Sequence, residues 1–454
     1  MTRIILAFAL VLALTACQKE ALPNAATEIT PGGISYTFVK MDDQKDVAVQ
    51  IAWPTDWGWR GGNNQTVPYV GADLILSGGA KGYAAGEVVE LFADLKAQAT
   101  LSTTVDQIYG QLIFEKANID EPVKIANAHL LAPTLDEAWF ERIRDQWKKK
   151  IAENLAQPQT MGFTAIRDAV FGDQPIRAAI SLDQPEMFDT LNLSEISIWH
   201  KETFTRKPDA IVVAGEISVE QANQIVDGLF AGLPEGGRSL TKAATANFKP
   251  RRILLHVPMA KTANLSFIGQ MPPTRGGKEF EDIMLIQALG GDDQSPLFTA
   301  VRTGLRASYG YSSGLDGFSR DNRFMVMTGE VDVSKLAEAE TIVRKTYGEF
   351  LLSGPSGDIS LRTPQFSANL KETLEHCDSM AFSVLVALLD GFPASRILGL
   401  QSELERITTE SLKERLETAF PRTSELLMVA VSPDANALPG ACVITSPQEA
   451  SNCQ

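Results

Sequence analysis

Histidine and cysteine side chains are where this sequence could bind a metal or carry a nucleophile, and it has few of either. The histidines are His129, His200, His256 and His376. The nearest two are 56 residues apart, so no pair has the short spacing that places two imidazoles on one face of a helix. The chain also lacks Cys-x-x-Cys pairs, Gly-x-x-x-x-Gly-Lys loops and Gly-x-Ser-x-Gly turns. Zinc fingers, phosphoryl transfer and serine hydrolase chemistry therefore have no support in the sequence.

The composition and the net charge of the chain argue against a nucleic acid partner. The chain has 454 residues, of which 44% are apolar and 21% are charged, as a protein with a large core needs. Its 41 basic and 56 acidic residues give a formal net charge of −15. A chain this acidic repels the phosphates of nucleic acids, so we expect no nucleic acid partner.

The N-terminus has the pattern of an export signal. Residues 4–14 form an apolar run too short for a stable membrane span, and Leu14-Thr15-Ala16-Cys17 follows it. That tetrapeptide resembles the bacterial lipobox, which implies a signal peptide over 1–16 and a membrane anchor through acyl chains on Cys17. Gln18 follows the cysteine, which indicates the periplasmic face of the outer membrane in a Gram-negative cell. An ordinary secretory signal that ends near a cysteine is the alternative.

The other three cysteines would lie in a compartment that permits disulfides. Cys442 and Cys453 are close together near the C-terminus and are predicted to form a disulfide. Cys377 is then left over and is predicted to be a buried structural thiol.

The elements that must position any site follow a repeated order. Residues 17–33 are small and polar and are predicted to be a tether. Hydrophobic periodicity then predicts a strand pair, two helices, a second strand pair, several helices and a final strand at 210–214. One of these helices, over 135–155, carries a long apolar stripe. A Gly-rich stretch at 234–250 interrupts the pattern, and the same order then restarts and ends with a strand at 426–431.

This repetition predicts an α+β chain of two homologous domains, each a mixed, mainly antiparallel sheet packed with helices. The predicted boundaries are 34–233 for the first domain, 234–250 for the linker, 251–435 for the second domain and 436–454 for a tail.

Two segments resemble the insulinase-like zinc peptidases, the family of pitrilysin and the mitochondrial processing peptidases. Residues 210–234, AIVVAGEISVEQANQIVDGLFAGLP, resemble the end of that family's first domain. Residues 289–309, LGGDDQSPLFTAVRTGLRASY, resemble the signature of its second domain. The resemblance covers nearly the whole mature chain. It implies a two-domain unit that pairs with another as a clamshell around an enclosed cavity.

In that family a His-x-x-Glu-His helix and a later glutamate hold the zinc. The corresponding segment here, residues 68–79, is PYVGADLILSGG and contains neither histidine nor glutamate. The resemblance aligns the first histidine with Tyr69 or Val70, and the glutamate with Ala72 or Asp73. It aligns the second histidine with Asp73 or Leu74, and the distal glutamate with Lys149 or Lys150. We therefore expect this chain to hold no zinc or other cofactor and to contain no catalytic residue.

The resemblance assigns substrate binding to Arg302 and Tyr309. In related enzymes this arginine and tyrosine line the cavity and help to bind and polarise the substrate peptide. A guanidinium offers forked donors to a carbonyl group and a phenol offers one positioned donor, as a developing oxyanion needs. Arg306-Ala307 stands where the family often has Gly-Leu. A surface arginine and a strand tyrosine without such a role are the alternative interpretation.

The leading hypothesis is a non-catalytic subunit of a heterodimeric periplasmic peptidase. Its partner would be an insulinase-like subunit that carries the zinc, and its substrate a peptide or an unfolded protein. Arg302 and Tyr309 would then act in trans on the partner's active site. The alternatives are a stand-alone lipoprotein that binds peptides or scaffolds an envelope complex, and an active hydrolase of unrelated chemistry. Formation of homodimers is left open.

Overall fold

A computed structural model of the chain describes residues 24–242, 244–308, 310–355 and 359–454. The predicted signal peptide, Cys17 and the first part of the predicted tether lie outside the described residues. No helix in the described part of the chain combines the length and the apolar composition that a membrane span requires.

Two six-stranded sheets form the framework of the described residues. The strands of the first sheet are β1 (Asn24–Ile29), β2 (Ser35–Lys40), β3 (Asp46–Pro54), β4 (Gln98–Thr103), β5 (Gln107–Glu115) and β6 (Ala210–Gly215). The strands of the second are β7 (Arg252–His256), β8 (Ala263–Gln270), β9 (Tyr311–Gly317), β10 (Arg323–Val331), β11 (Leu427–Ser432) and β12 (Cys442–Ile444).

The two sheets repeat one topology. The spatial order is β1-β2-β6-β3-β5-β4 in the first sheet and β12-β7-β11-β8-β10-β9 in the second. In each sheet the first and last strands of the repeat are parallel neighbours, β2 with β6 and β7 with β11. The other pairs within the repeat are antiparallel. The predicted fold, two similar units with mixed and mainly antiparallel sheets, is confirmed.

Helices cover both sheets. Those that precede the second sheet are α1 (Val67–Ser77), α2 (Val88–Asp94), α3 (Asp120–Leu131), α4 (Glu137–Leu155), α5 (Pro158–Phe171), α6 (Pro175–Ser181), α7 (Glu186–Thr190), α8 (Leu193–Thr203) and α9 (Val219–Leu229). Those that follow β8 are α10 (Glu279–Gly290), α11 (Pro296–Phe298), α12 (Leu336–Ser353), α13 (Ile359–Leu374), α14 (Cys377–Leu389), α15 (Ser395–Leu398), α16 (Leu400–Leu404) and α17 (Thr409–Ala419).

One helix from each half of the chain packs on the sheet of the other half. Residues of α5, such as Ile166 and Val170, pack in one buried cluster with Val429 and Val431 of β11. In return, α14 packs on β3 and β6, where Leu385 joins a buried cluster of small and branched residues of the first sheet. Both faces of each sheet are thus buried, and the two halves share their hydrophobic cores.

The sixth strand of each sheet was not expected from the sequence. Residues 24–29, in the predicted tether, form β1, and residues 442–444, in the predicted tail, form β12. The segment NAATEI lacks apolar alternation, so β1 gives no periodic signal. It pairs with β2 across a tight turn, where the Gly33 amide donates to the Thr30 carbonyl and Gly33 adopts a φ of 81°.

The stretch at 234–250 contains no helix or strand among its described residues, and the first half binds it firmly. Asp56 is buried and accepts hydrogen bonds from Arg238 and from the backbone amide of Thr241. Lys242 donates to Asp106 at 2.9 Å. These contacts hold the stretch against the first half, so it does not act as a free hinge.

Candidate functional site

The helix aligned with the zinc motif, α1, places two of the aligned residues on one face. Tyr69 and Asp73 are four residues apart and therefore lie one above the other on the helix. Val70, Ala72 and Leu74 are fully or almost fully buried in the core of the first half. Tyr69 and Asp73 are partly buried, and they face α4.

A tryptophan of α4 fills the space beside this face. The Trp147 indole Nε1 donates a hydrogen bond of 2.7 Å to Oδ2 of Asp73. The Trp147 ring also packs edge-on against Tyr69, with ring centroids 5.8 Å apart. Lys150, one of the two lysines aligned with the distal glutamate of the zinc site, lies with its ammonium nitrogen 4.7 Å from the centroid of the Trp147 ring. These four side chains form the degenerate zinc locus.

Burial and hydrogen bonding set the protonation of the degenerate zinc locus. Burial raises the pKa of Asp73, while the hydrogen bond from Trp147 and the charge of Lys150 act in the opposite direction. Burial also raises the pKa of Tyr69 to about 12, and its hydroxyl donates to the Ala179 carbonyl at 2.7 Å. The phenol is therefore held neutral and engaged with the backbone.

The donor atoms of the degenerate zinc locus do not fit a zinc ion. Protein zinc sites are built from thiolates, imidazoles and carboxylates, usually four ligands in a tetrahedron. Of the four side chains only Asp73 offers such a donor, and it is occupied by the indole. Lys150 adds a positive charge where a ligand would be needed. Over the described residues, no group of three or more His, Cys, Asp and Glu side chains is arranged to hold a metal ion.

Three of the four histidines, His129, His200 and His256, have structural partners. His129 shares a hydrogen bond of 2.8 Å with the Ile125 carbonyl, and His200 shares one of 2.8 Å with the Leu130 carbonyl. Burial lowers the pKa of both, so both are neutral at pH 7. His256 bonds to the Pro433 carbonyl at 3.1 Å.

Arg302 lies on a π-helical turn, Thr299–Gly304, that continues α11. Its side chain is exposed, and its guanidinium carbon lies 5.1 Å from the centroid of the Phe298 ring. Tyr309 lies outside the described residues, so its position relative to Arg302 stays a prediction. Arg306, at the departure from the family pattern, adopts a left-handed φ of 52°, and Ala307 beyond it is buried.

The cysteines that lie in the described residues form one disulfide and one free thiol. Cys442 and Cys453 are joined, and the loop between them packs against α5. Cys377 is buried at the start of α14, where burial raises the pKa of its thiol to about 12. A thiol held protonated in this way is a poor nucleophile.

Sequence reasoning missed Trp147. The i, i+4 stripe of α4 contains this residue, but the stripe alone indicates only a buried helix face. The sequence signal that could have pointed to Trp147 was a large aromatic residue on that stripe, one turn before Lys150. Only the packing of α4 on α1 reveals that the indole reaches Asp73.

Comparisons with known proteins show which fold and which family model this chain resembles. The family described as "Peptidase M16 inactive domain" matches residues 190–359. A peptidase M16 inactive domain from Pseudomonas fluorescens is 16% identical, with a TM-score of 0.80 over 90% of this chain and 98% of that chain. The first half of the periplasmic protease PqqL from Escherichia coli is 14% identical, with a TM-score of 0.70 over 94% of this chain and 96% of that one. Full-length PqqL is 13% identical, also with a TM-score of 0.70, and the match covers 94% of this chain and 50% of PqqL.

No curated protein sequence matches the chain. The matching residues, 190–359, run from the end of the first half into the second and include Arg302. The resemblance to the insulinase-like peptidases is thereby confirmed, since the chain has their fold over both halves and matches, over 190–359, a domain of that family described as inactive.

Proposed function

We propose that this chain is the non-catalytic subunit of a heterodimeric periplasmic zinc peptidase. The observation that carries the proposal is the pairing of Trp147 with Asp73 at the degenerate zinc locus, where an indole engages the one carboxylate and an ammonium group lies beside them. A chain that keeps the whole fold but lacks metal ligands can bind substrate and a partner, and it relies on that partner for the chemistry.

The size of PqqL supports a paired unit. This chain spans half of that periplasmic protease and matches its first half. In the proposed complex, a separate insulinase-like chain with an intact His-x-x-Glu-His helix takes the place of the other half. The two chains close as a clamshell, and the substrate is a peptide or an unfolded protein.

Within the complex, this chain contributes Arg302 and Tyr309 to the partner's active site. The proposal is supported by the exposure of Arg302 on its π-helical turn, at the surface of the chain. Diacylglyceryl modification of Cys17 would hold the complex at the periplasmic face of the outer membrane.

The test is a native pull-down from detergent-solubilised membranes, followed by mass spectrometry and reconstitution of the pair. We expect to recover an insulinase-like chain with an intact zinc motif, and peptide cleavage only by the two chains together. Replacement of the partner's motif glutamate by glutamine should abolish cleavage. Asp73→Asn in this chain should leave cleavage unchanged. Recovery of envelope proteins without a peptidase would contradict the proposal and favour the scaffold function.

A further inference from the structure

A polar cavity of about 450 Å³ opens at the junction of the two halves. It lies between the N-terminal end of α5 and the ends of β8, β9 and β10, so both halves form its walls. Its volume is in the range of pockets that bind small molecules or short peptide segments.

The lining of this cavity is made of neutral hydrogen-bonding groups. Those side chains are Gln157, Gln159, Thr160, Thr262, Asn264, Ser312 and Thr328. Glu330 adds one carboxylate, and the described lining contains no basic or aromatic side chain. Pockets for apolar ligands are instead lined mainly by hydrophobic and aromatic groups.

The polar wall is built into the second sheet. Asn264 and Ser266 lie on the face of β8 that α5 covers, and both are buried. The Asn264 amide donates to the Gly329 carbonyl at 3.2 Å, and Ser266 shares a hydrogen bond of 2.7 Å with the hydroxyl of Thr328. Further along the same face, Ile268 belongs to an apolar cluster. The polar groups are thus held in place at the cavity end of this face, next to its apolar part.

The cavity adjoins the predicted substrate-binding segment. Gly310, the residue after Tyr309, lines it, and the Gly310 carbonyl and amide are both bonded to Ser308. We propose that the cavity is a specificity subsite that receives a neutral polar segment of the substrate chain, rich in Asn, Gln, Ser or Thr. This inference rests on the proposed function, because Tyr309 is taken to hold the substrate peptide.

The lining discriminates against apolar and acidic side chains. An apolar side chain would displace water from polar groups of the lining without replacing their hydrogen bonds, which is unfavourable. An acidic side chain would be repelled by Glu330 and by the negative net charge of the protein. Amide and hydroxyl side chains both donate and accept, so they can satisfy a mixed lining.

The experiment measures peptide binding to this chain alone, with no partner present. Three fluorescein-labelled octapeptides differ only in their four central residues: Asn-Gln-Ser-Thr, Leu-Val-Leu-Val or four Glu. Fluorescence anisotropy should show the first binding at least tenfold more tightly than the other two, which corresponds to about 1.4 kcal/mol. In Ser312→Trp, an indole on an exposed residue of β9 fills the cavity, and the preference should disappear.

Thr418→Trp is the matched control, because it adds the same side chain at an exposed position of α17, outside the cavity. It should leave the preference intact, and thermal melting should show both variants folded. Equal binding of the three peptides, or an unchanged preference in folded Ser312→Trp, would overturn the subsite. A failure to recover a zinc-bearing partner would contradict the proposed function and leave this binding result to be judged separately.

Discussion

Trp147 donates its indole hydrogen to Asp73 across 2.7 Å, and this bond joins α4 to α1 at the degenerate zinc locus. In the aligned motif Asp73 takes the place of the glutamate or of the second histidine, and Lys150, one helical turn beyond Trp147, is one of the two lysines aligned with the distal glutamate. The contact between the two helices is therefore made by packing and one hydrogen bond, without any need for a metal ion.

The raised pKa of Asp73 makes the stability of this locus depend on pH. A carboxyl whose pKa is raised by folding favours the folded state when protonated, so its ionisation opposes folding above that pKa. Asp73→Asn removes this charge and keeps an oxygen that accepts the indole hydrogen bond. The variant should have a higher free energy of unfolding than the wild type at pH 7. This advantage should shrink as the pH falls through the raised pKa of Asp73 and should be lost below about 3.9, the pKa of an unperturbed Asp. Urea unfolding at pH 7 and pH 3 measures both values.

Trp147→Phe is the counterpart, since it keeps a ring beside Tyr69 but leaves the Asp73 carboxylate without its donor. We expect it to cost about 1–3 kcal/mol at pH 7. The cost should be smaller in the Asp73→Asn background, because an unpaired amide is less costly than an unpaired charge. Equal costs in both backgrounds would show that the two side chains are not coupled.

The ligand set also predicts the metal content of the protein. The purified chain should contain no stoichiometric zinc and should not cleave an unstructured peptide, because the locus offers one carboxylate and no imidazole. Inductively coupled plasma mass spectrometry after dialysis measures the zinc, and a quenched fluorescent peptide reports cleavage. One tightly held zinc ion per chain would refute this prediction.

Much of the fold could be predicted from the sequence, since most of its strands carry strong apolar patterns. β3 is an example, with Val47, Val49 and Ile51 on one face and alanines on the other. The exchange of α5 and α14 could not be predicted, because a helix pattern identifies a buried face but not the sheet that covers it. The same limit hid the contact of Trp147 with Asp73, which depends on how two helices separated by 59 residues in the chain pack together.

The exchanged helices predict that the two halves unfold together. Leu385 of α14 is fully buried against the first sheet, so Leu385→Ala should cost about 2–5 kcal/mol. All six tryptophans lie between residues 53 and 199, so their fluorescence reports on the first half, whereas far-ultraviolet circular dichroism reports on the whole chain. Both transitions should shift together to lower urea concentration.

Leu352→Ala is the control for this experiment. Leu352 is 82% exposed at the end of α12, so its truncation should change stability by less than about 0.5 kcal/mol. A fluorescence transition that does not move in Leu385→Ala would mean that the first half does not depend on α14.

The predicted lipid anchor has a direct test. Cys17→Ala removes the acylated thiol and should move the protein from the membrane fraction to the soluble periplasmic fraction, because the acyl chains provide the binding energy. Cell fractionation followed by immunoblotting measures the distribution, with a known lipoprotein as the control. Continued sedimentation with membranes would require a second anchor or a membrane-bound partner.

The trans-acting role of Arg302 and Tyr309 separates the proposed peptidase subunit from a scaffold. In the reconstituted pair, Tyr309→Phe deletes one hydroxyl and keeps the ring. Arg302→Lys keeps the positive charge but loses the forked N–H donors of the guanidinium. Removal of one preorganised oxyanion donor lowers turnover by about 10²- to 10³-fold. We therefore expect a fall of this order in kcat/KM for Tyr309→Phe, and also a loss of activity for Arg302→Lys.

Complex formation is the measurement that makes this test specific. Both variants should bind the zinc-bearing partner with unchanged affinity, because a role confined to the substrate leaves the contact between the chains intact. Arg302 contacts the Phe298 ring, so a local packing defect would instead appear as a lowered melting temperature of the isolated chain. If both variants are folded, bind the partner and cleave peptides at the wild-type rate, neither residue acts on the substrate. The chain would then serve the complex through its surface and its anchor alone.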